Sequence, residues 1–360
     1  MNISGKDHSI IKAICILFLF TLITVPPCLS SPIKDHNITT LQSGRDAINE
    51  GQYEDAIMLF DQIIKSGKNL PVAYNNKGIA LLRLGKCNEA LDAFLKVKNI
   101  STSDTDLLLN IALSQECTGD HNQAINTINQ AINISPENAD LWLMRGVIMR
   151  ENLDYISALN DIDHARDINN TRGDVWYERA VTLALNQDYS DAYEAIVKAS
   201  TISKNDTVYI FNKGVIEERL GRNRDAISSY DKVIEIDPSN VKAWFNKGSI
   251  QWNFYHLNES LNAFTQVVQL DPNMSDAWFF QGLVLKELGR DNESVISFEK
   301  ASNLNPQNKM YKAYSDRYEK KNRTTNEVPS LPIPVSSLLI ICIIISAALA
   351  MFSYYVGKYR

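Results

Sequence analysis

The chain has 360 residues, a formal net charge of −6 at pH 7 and 22% charged residues. It is longer than one globular core usually requires, and its balanced, slightly acidic charge argues against nucleic acid as a partner. Apolar residues make up 45% of the sequence, but they are concentrated in two uncharged runs, one near each end. The long segment between these runs is polar, amphipathic and rich in Asn.

The first apolar run is typical of a secretory signal. Lys6 and Lys12 precede an uncharged stretch, and two prolines follow it. We therefore predict a signal peptide over residues 1–30, with an uncleaved N-terminal anchor as the alternative. A lipoprotein acylated at Cys28 is less favoured, because small residues are missing just before this cysteine. With either a signal or an anchor, the residues from Ser31 onward are expected outside the cytoplasm.

The middle of the chain is an internal repeat. Eight blocks of 34 residues fit without a gap from residue 37 to residue 308. Position 8 of the blocks is always Gly or Ala, position 20 is Ala or Ser, and position 24 is aromatic or Ile. Small residues let two helices approach closely, and bulky residues fill the space beside them. Each block therefore predicts two helices, A and B. The blocks are 37–70, 71–104, 105–138, 139–172, 173–206, 207–240, 241–274 and 275–308.

These columns resemble the tetratricopeptide repeat family, whose pattern has Trp at position 4, Gly at 8, Ala at 20, an aromatic at 24 and Pro at 32. The run Phe245-Asn246-Lys247-Gly248 matches this pattern closely. The resemblance implies an all-α fold, a right-handed α-solenoid of eight helix-turn-helix repeats whose A helices line a concave groove. Asn170 and Lys204 replace the proline that ends blocks four and five, which leaves the turn geometry there open.

The C-terminal part predicts a membrane anchor. Residues 309–323 predict a capping helix with a charged outer face, and residues 324–332 a short stalk. Residues 333–355 carry no charge and are long enough for a transmembrane helix, which leaves 356–360 as a cytoplasmic tail. The predicted location is thus the cell membrane, as a single-pass protein with the repeats on the extracytoplasmic side. Processing near residue 330 by a sortase-like enzyme is the alternative.

The sequence shows no constellation that predicts catalysis. The five His are scattered, and none pairs with another at metal-ligand spacing. We therefore expect no enzymatic activity, no cofactor, no metal and no small-molecule substrate. Cys87 and Cys117 lie at the A–B turn edges of consecutive repeats and could form a disulfide outside the cytoplasm. Sequons for N-glycosylation occur at Asn37, Asn99, Asn133, Asn169, Asn205, Asn258, Asn273, Asn292 and Asn322.

The resemblance also implies a binding surface. In this family positions 2, 5, 6, 9, 12 and 13 of helix A face the groove. The partner-binding residues expected on this basis are Tyr177, Phe211, Asn212, Phe245, Asn246, Trp252 and Phe279. The alternative is that the aromatic rings pack against neighbouring A helices.

The predicted function is a non-enzymatic scaffold, tethered to the membrane, that binds proteins or extended peptides. A glycosylated structural or adhesive surface protein is one alternative. A regulatory subunit of a membrane enzyme complex is another.

Overall fold

The computed structural model describes residues 36–98 and 104–323, and all of the regular structure in these residues is helical. In chain order the helices are α1 (His36–Asn49), α2 (Tyr53–Ser66), α3 (Leu70–Arg83), α4 (Cys87–Lys98), α5 (Thr105–Thr118), α6 (His121–Ile134), α7 (Ala139–Glu151), α8 (Tyr155–Ile168), α9 (Gly173–Leu185), α10 (Tyr189–Ile202), α11 (Thr207–Arg219), α12 (Asn223–Ile236), α13 (Val241–Asn253), α14 (Leu257–Leu270), α15 (Ser275–Glu287), α16 (Asp291–Leu304) and α17 (Lys309–Arg323). The prediction of an all-α helical repeat is confirmed.

The odd-numbered helices from α1 to α15 are the A helices of the eight blocks, and the even-numbered ones are the B helices. The chain divides into two compact units, and the boundary in the sequence falls between Asp188 and Tyr189. We call the described residues before this point unit 1 and those after it unit 2. Within each unit every helix packs against the next one along the chain. This nearest-neighbour packing is how helical repeats build their core.

A close approach of helices A and B depends on a small residue at position 8, and where position 24 is aromatic this residue is glycine. A Cβ atom added at Gly282 would lie 2.7 Å from the ring of Phe298, and one at Gly78 would lie 2.6 Å from the ring of Phe94. The ring at position 24 therefore occupies the space that a side chain at position 8 would need. This contact explains why the two columns recur together in the sequence.

The turn between helices A and B contains one residue in the left-handed backbone conformation, with a positive φ angle. Gly221 and Gly289 supply it with φ angles of 73°, which cost glycine little. Leu153, Gln187 and Tyr255 adopt the same conformation at the equivalent place, with φ angles of 65°, 67° and 61°. The turn is therefore kept even where the sequence offers no glycine.

A hydrogen bond from Trp at position 4 fixes the junction between consecutive repeats. The indole nitrogen of Trp244 donates to the carbonyl oxygen of Pro238 at 3.0 Å, and that of Trp142 to Pro136 at 2.7 Å. Where Asn170 replaces the proline, Trp176 donates to its carbonyl oxygen at 2.8 Å. The turn geometry after block four is thus preserved, because the acceptor is a backbone atom.

The last helix covers the end of unit 2. Tyr311 and Tyr314 of α17 are buried, and their rings lie 4.7 and 5.1 Å from that of Phe279. Tyr318 stacks on Phe298 at 5.4 Å. These contacts close the apolar face that α15 and α16 would otherwise expose.

The structure requires one correction to the predicted fold. In the part of the chain that the structure describes, no helix is long and apolar enough to cross a membrane. These helices have 12 to 15 residues, whereas a span needs about 20 apolar residues. The transmembrane helix predicted at 333–355, and the single-pass membrane location that depended on it, are therefore not retained. The segment itself, the signal peptide at 1–30, the stalk and the tail all lie outside the described residues.

Candidate functional site

The aromatic residues predicted to line a groove are buried. Phe245 and Phe279 are fully inaccessible to solvent, and the remaining aromatics predicted for the groove, Tyr177, Phe211 and Trp252, are at most 5% exposed. In unit 2 the ring of Phe245 lies 5.4 Å from that of Phe264 and 5.7 Å from that of Phe280. Position 5 therefore fills the space between helices A and B and the next A helix. This corrects the prediction of an exposed aromatic stripe, because edge-on ring packing is a core arrangement.

The Asn residues at position 6 are buried as well, and their amide nitrogens are already used. Asn212 Nδ2 donates to the carbonyl oxygen of Val208 at 2.8 Å. Asn246 Nδ2 donates to the hydroxyl of Tyr230 at 3.2 Å. The amide groups expected to offer donors to a peptide thus donate within the protein. What Asn246 keeps is an acceptor, because its Oδ1 accepts no hydrogen bond from any residue that the structure describes.

A chain of polar groups crosses three helices of unit 2 at this point. The hydroxyl of Tyr230, on α12, donates to Glu218 Oε2, on α11, at 3.2 Å and accepts from Asn246, on α13. Burial raises the pKa of Glu218 to about 7, against the smaller opposing effects of the Tyr230 hydrogen bond and the Arg219 charge. The neighbouring Glu217 forms an ion pair with Lys213, whose Nζ lies 2.9 Å from Glu217 Oε1.

A further buried acceptor lies near the end of the same A helix. The side-chain oxygen of Asn253, on α13, is shielded from solvent and accepts no hydrogen bond from the described residues. Such orphan acceptors are rare in folded proteins and usually have a reason. Together, Glu218, Asn246 and Asn253 make this part of unit 2 rich in acceptors. Sequence reasoning missed Glu218 and Asn253, because only the positions of neighbouring helices show that Glu218 is buried and that the oxygen of Asn253 lacks a donor.

The two cysteines singled out in the sequence come together in unit 1. The Cα atoms of Cys87 and Cys117 are 5.6 Å apart, and their sulfur atoms lie within bonding distance. This Cα separation is in the range that disulfides adopt. The predicted disulfide therefore has the geometry it needs, and we keep it as a proposal. In the described part of the chain no group of three or more His, Cys, Asp or Glu could hold a metal ion.

The structure describes the side chains of some of the sequon asparagines and not of others. Asn99 lies outside the described residues, and the side chains of Asn37 and Asn322 are not described either. The remaining sequon residues are exposed to solvent: Asn133, Asn169, Asn205, Asn258, Asn273 and Asn292. Exposure permits a glycan at these positions, and their use stays a prediction.

The fold and these surfaces define a class of protein: a helical-repeat protein, in which stacked helix pairs present side chains to other proteins. Comparison with family models agrees. A model for the N-terminal tetratricopeptide repeat region of Psidin matches residues 41–148. The tetratricopeptide repeat model matches residues 209–240, 241–274 and 275–308. The chain belongs to the tetratricopeptide repeat proteins, a family of protein–protein interaction scaffolds that are typically not enzymes.

Solved structures share the fold at low sequence identity. The C-terminal part of a tetratricopeptide repeat protein from Cytophaga hutchinsonii has a TM-score of 0.51 and 17% identity, over 66% of this chain and 97% of its own. PilF of Pseudomonas aeruginosa has a TM-score of 0.50 and 13% identity, over 60% of this chain and 97% of its own. The Cut9–Hcn1 hetero-tetramer of APC/C has a TM-score of 0.50 and 13% identity, over 74% of this chain and 52% of the matched one. These likenesses show the fold alone.

Proposed function

We propose that this protein is a non-enzymatic scaffold that binds an extended segment of a partner protein along the A helices of unit 2. The observation that supports this role is an unpaired carbonyl oxygen at the end of α13: Asn253 Oδ1 accepts no hydrogen bond from the described residues, and Asn253 is only partly buried. A buried acceptor left unpaired costs about 1–3 kcal/mol. A ligand that brings an N–H group to this oxygen recovers this free energy.

Two more side-chain oxygens of α13 lack a donor among the described residues, Asn246 Oδ1 and Gln251 Oε1. Asn246 is 0% exposed and Gln251 7%. A peptide therefore contacts Asn253, at the end of the helix, and not these two side chains.

Glu218 adds an acceptor of a different kind. Its carboxylate is held by Tyr230 beside Asn246, and its pKa is raised because burial outweighs both the Tyr230 hydrogen bond and the charge of Arg219. A ligand donor at this position stabilises the charged form of the carboxylate. The site thus favours ligands that supply donors, which a peptide backbone does along its whole length.

A peptide selection tests the proposal. Peptides that bind the full chain are selected from a random library of 12-residue sequences, and their affinities are measured for the wild type, Asn253→Ala and Asn262→Ala. Asn262 is an exposed residue of the B helix α14 and serves as the matched control. We expect Asn253→Ala to weaken binding about fivefold, the value of one hydrogen bond, and Asn262→Ala to have no effect.

Two results would contradict the proposal. In the first, the selected peptides bind Asn253→Ala as tightly as the wild type while the helical circular-dichroism signal of both proteins is the same. In the second, Asn262→Ala weakens binding as much as Asn253→Ala, which places the peptides on the B helices instead.

A further inference from the structure

The turn between α11 and α12 is strongly basic. Arg219, Arg222 and Arg224 are all exposed within six residues. The ion pairs of unit 2 join Lys213 to Glu217, Lys247 to Asp231, Lys286 to Asp291 and Arg290 to Glu293. Among the described residues, none of the three arginines therefore has an ion-pair partner. Asp225 is exposed beside them, so three arginines and one aspartate give residues 219–225 a net charge of +2, in a chain with a net charge of −6.

One of these arginines is held in place by an aromatic ring. The Cζ atom of Arg222 lies 4.5 Å from the centre of the Tyr193 ring. A guanidinium that stacks on a ring uses its face and leaves the N–H groups on its edge available. Arg222 is thus oriented to form two parallel hydrogen bonds to a carboxylate.

The corresponding turn of the next repeat exposes two aromatic rings. Phe254 is 53% and Tyr255 60% exposed. The hydroxyl of Tyr255 donates to Glu287 Oε2 at 2.5 Å, and its ring stacks on Trp252 with the centres 6.4 Å apart. Tyr255 has a φ of 61°, at a position where most of the other turns have glycine. These contacts fix the ring on the surface although its backbone conformation is unfavourable.

The basic turn and the aromatic turn are neighbours. The Tyr255–Glu287 hydrogen bond joins two successive A–B turns across 32 residues. The equivalent positions one repeat earlier are Gly221, in the centre of the basic turn, and Asn253, directly before Phe254, so the repeat brings these two turns to the same edge. Arginine guanidiniums and aromatic rings therefore share one edge of unit 2.

We propose that this edge, formed by Arg219, Arg222, Arg224, Phe254 and Tyr255 and called here the basic-aromatic edge, binds an acidic segment of a partner protein. Carboxylates fit the arginine N–H groups, and an apolar side chain of the same segment covers the exposed rings. A short acidic segment matches this small patch better than a nucleic acid does. A long phosphate backbone would extend over the acidic remainder of the surface.

The edge borders the acceptors of α11 and α13, because Arg219 follows Glu218 and Phe254 follows Asn253 in the chain. It binds through different groups, so this proposal goes beyond the proposed function and does not depend on it. The probe is a fluorescein-labelled 12-residue peptide with Glu at alternate positions and two Phe. A peptide with Gln in place of every Glu is its control. Fluorescence anisotropy with the full chain measures the two dissociation constants. The Glu peptide is expected to bind more tightly, and its affinity should fall as salt is added.

Matched variants locate the binding. The double variant with Arg222→Glu and Arg224→Glu should bind the Glu peptide about tenfold more weakly, or weaker still. The pair Lys232→Glu and Lys300→Glu changes the net charge equally at two exposed B-helix positions and should have little effect. Phe254→Ala, made at an exposed residue, should weaken binding of the Glu peptide while the thermal unfolding midpoint stays the same.

Three results would overturn the assignment. The Gln peptide could bind as tightly as the Glu peptide, or the two double variants could weaken binding equally, which would mean that only net charge matters. Alternatively, the full chain could leave the Glu peptide unbound and sediment with vesicles of phosphatidylserine and phosphatidylcholine in a way that depends on Arg222 and Arg224. The edge would then contact a lipid surface instead of a protein.

Discussion

Lys247 Nζ lies 2.5 Å from Asp231 Oδ1, sixteen residues earlier in the chain. This salt bridge joins position 7 of one repeat to position 25 of the repeat before it, and so connects helix α13 to helix α12. The same sixteen-residue step forms two bridges in unit 1, Lys77 with Asp61 at 2.6 Å and Arg179 with Asp163 at 2.7 Å. The basic residue at position 7 is thus an inter-repeat contact.

The first prediction concerns the strength of this contact. Asp231 is half exposed in the salt bridge, and bridges of this kind contribute at most about 1 kcal/mol. Asp231→Ala should therefore lower the free energy of unfolding by less than about 1 kcal/mol, and high salt should remove the difference. Urea titrations at low and high salt measure it. A larger loss that persists in high salt would show that Asp231 acts through something other than its charge.

A second prediction follows from the packing of Gly282 against Phe298. Gly282→Ala puts a Cβ atom 2.7 Å from the ring, and overpacking of this kind costs about 1–3 kcal/mol. Gly248→Ala should cost less, because the nearest atom there, the Cβ of Ala263, is 3.1 Å away. Calorimetric unfolding midpoints compare the two variants.

The sequence itself suggests how Gly282→Ala can be rescued. Blocks three and five combine alanine at position 8 with isoleucine at position 24. Adding Phe298→Ile to Gly282→Ala should therefore recover part of the lost stability, which a double-mutant cycle shows as a favourable coupling. Strictly additive effects would mean that the ring and the alanine do not compete for the same space.

The helices were predictable from the sequence because each depends on local pattern and on one neighbouring helix. The 34-residue recurrence of small and bulky residues determines where each helix lies in the sequence and which neighbouring helix it packs against. Whether a given residue is covered was harder to predict, because periodicity does not show which neighbours cover it. Phe245 is packed by Phe264 and Phe280, which lie 19 and 35 residues further along the chain. The acceptors of Asn246 and Asn253 were missed for a similar reason, since their lack of donors depends on atoms of several helices.

The third prediction concerns pH. Burial raises the pKa of Glu218 to about 7, above its ordinary value of 4.5. A carboxylate whose pKa is higher in the folded state contributes stability that is fully present below about pH 4.5. This stability is lost as the pH rises through about 7. Unit 2 should therefore lose on the order of 1–3 kcal/mol between these pH values through this group alone.

Glu218→Gln isolates this contribution. The amide stays neutral at every pH and keeps an oxygen that can accept from the Tyr230 hydroxyl. The difference in unfolding free energy between wild type and Glu218→Gln should shift in favour of the variant as the pH rises from 5 to 8. A difference that stays constant over this range would show that Glu218 ionises with an ordinary pKa.

The fourth prediction concerns the cysteines of unit 1. A disulfide between Cys87 and Cys117 closes a loop across a sequence separation of 30 residues. In the chain-entropy treatment, a loop of this length stabilises the folded state by about 3–4 kcal/mol. Adding a phosphine reductant should therefore lower the unfolding midpoint of the full chain. Peptide mapping without reduction should also show the cross-linked pair.

Cys87→Ser serves as the control, since it cannot form the bond but changes only one atom of the side chain. Its unfolding midpoint should lie below that of the oxidised wild type and should not respond to the reductant. The midpoints of reduced wild type and of Cys87→Ser should then agree within a few degrees, because both contain the same open loop. If the reductant lowers both midpoints equally, the stabilising bond lies elsewhere in the chain, and Cys87 and Cys117 are simply packed side by side between α4 and α5.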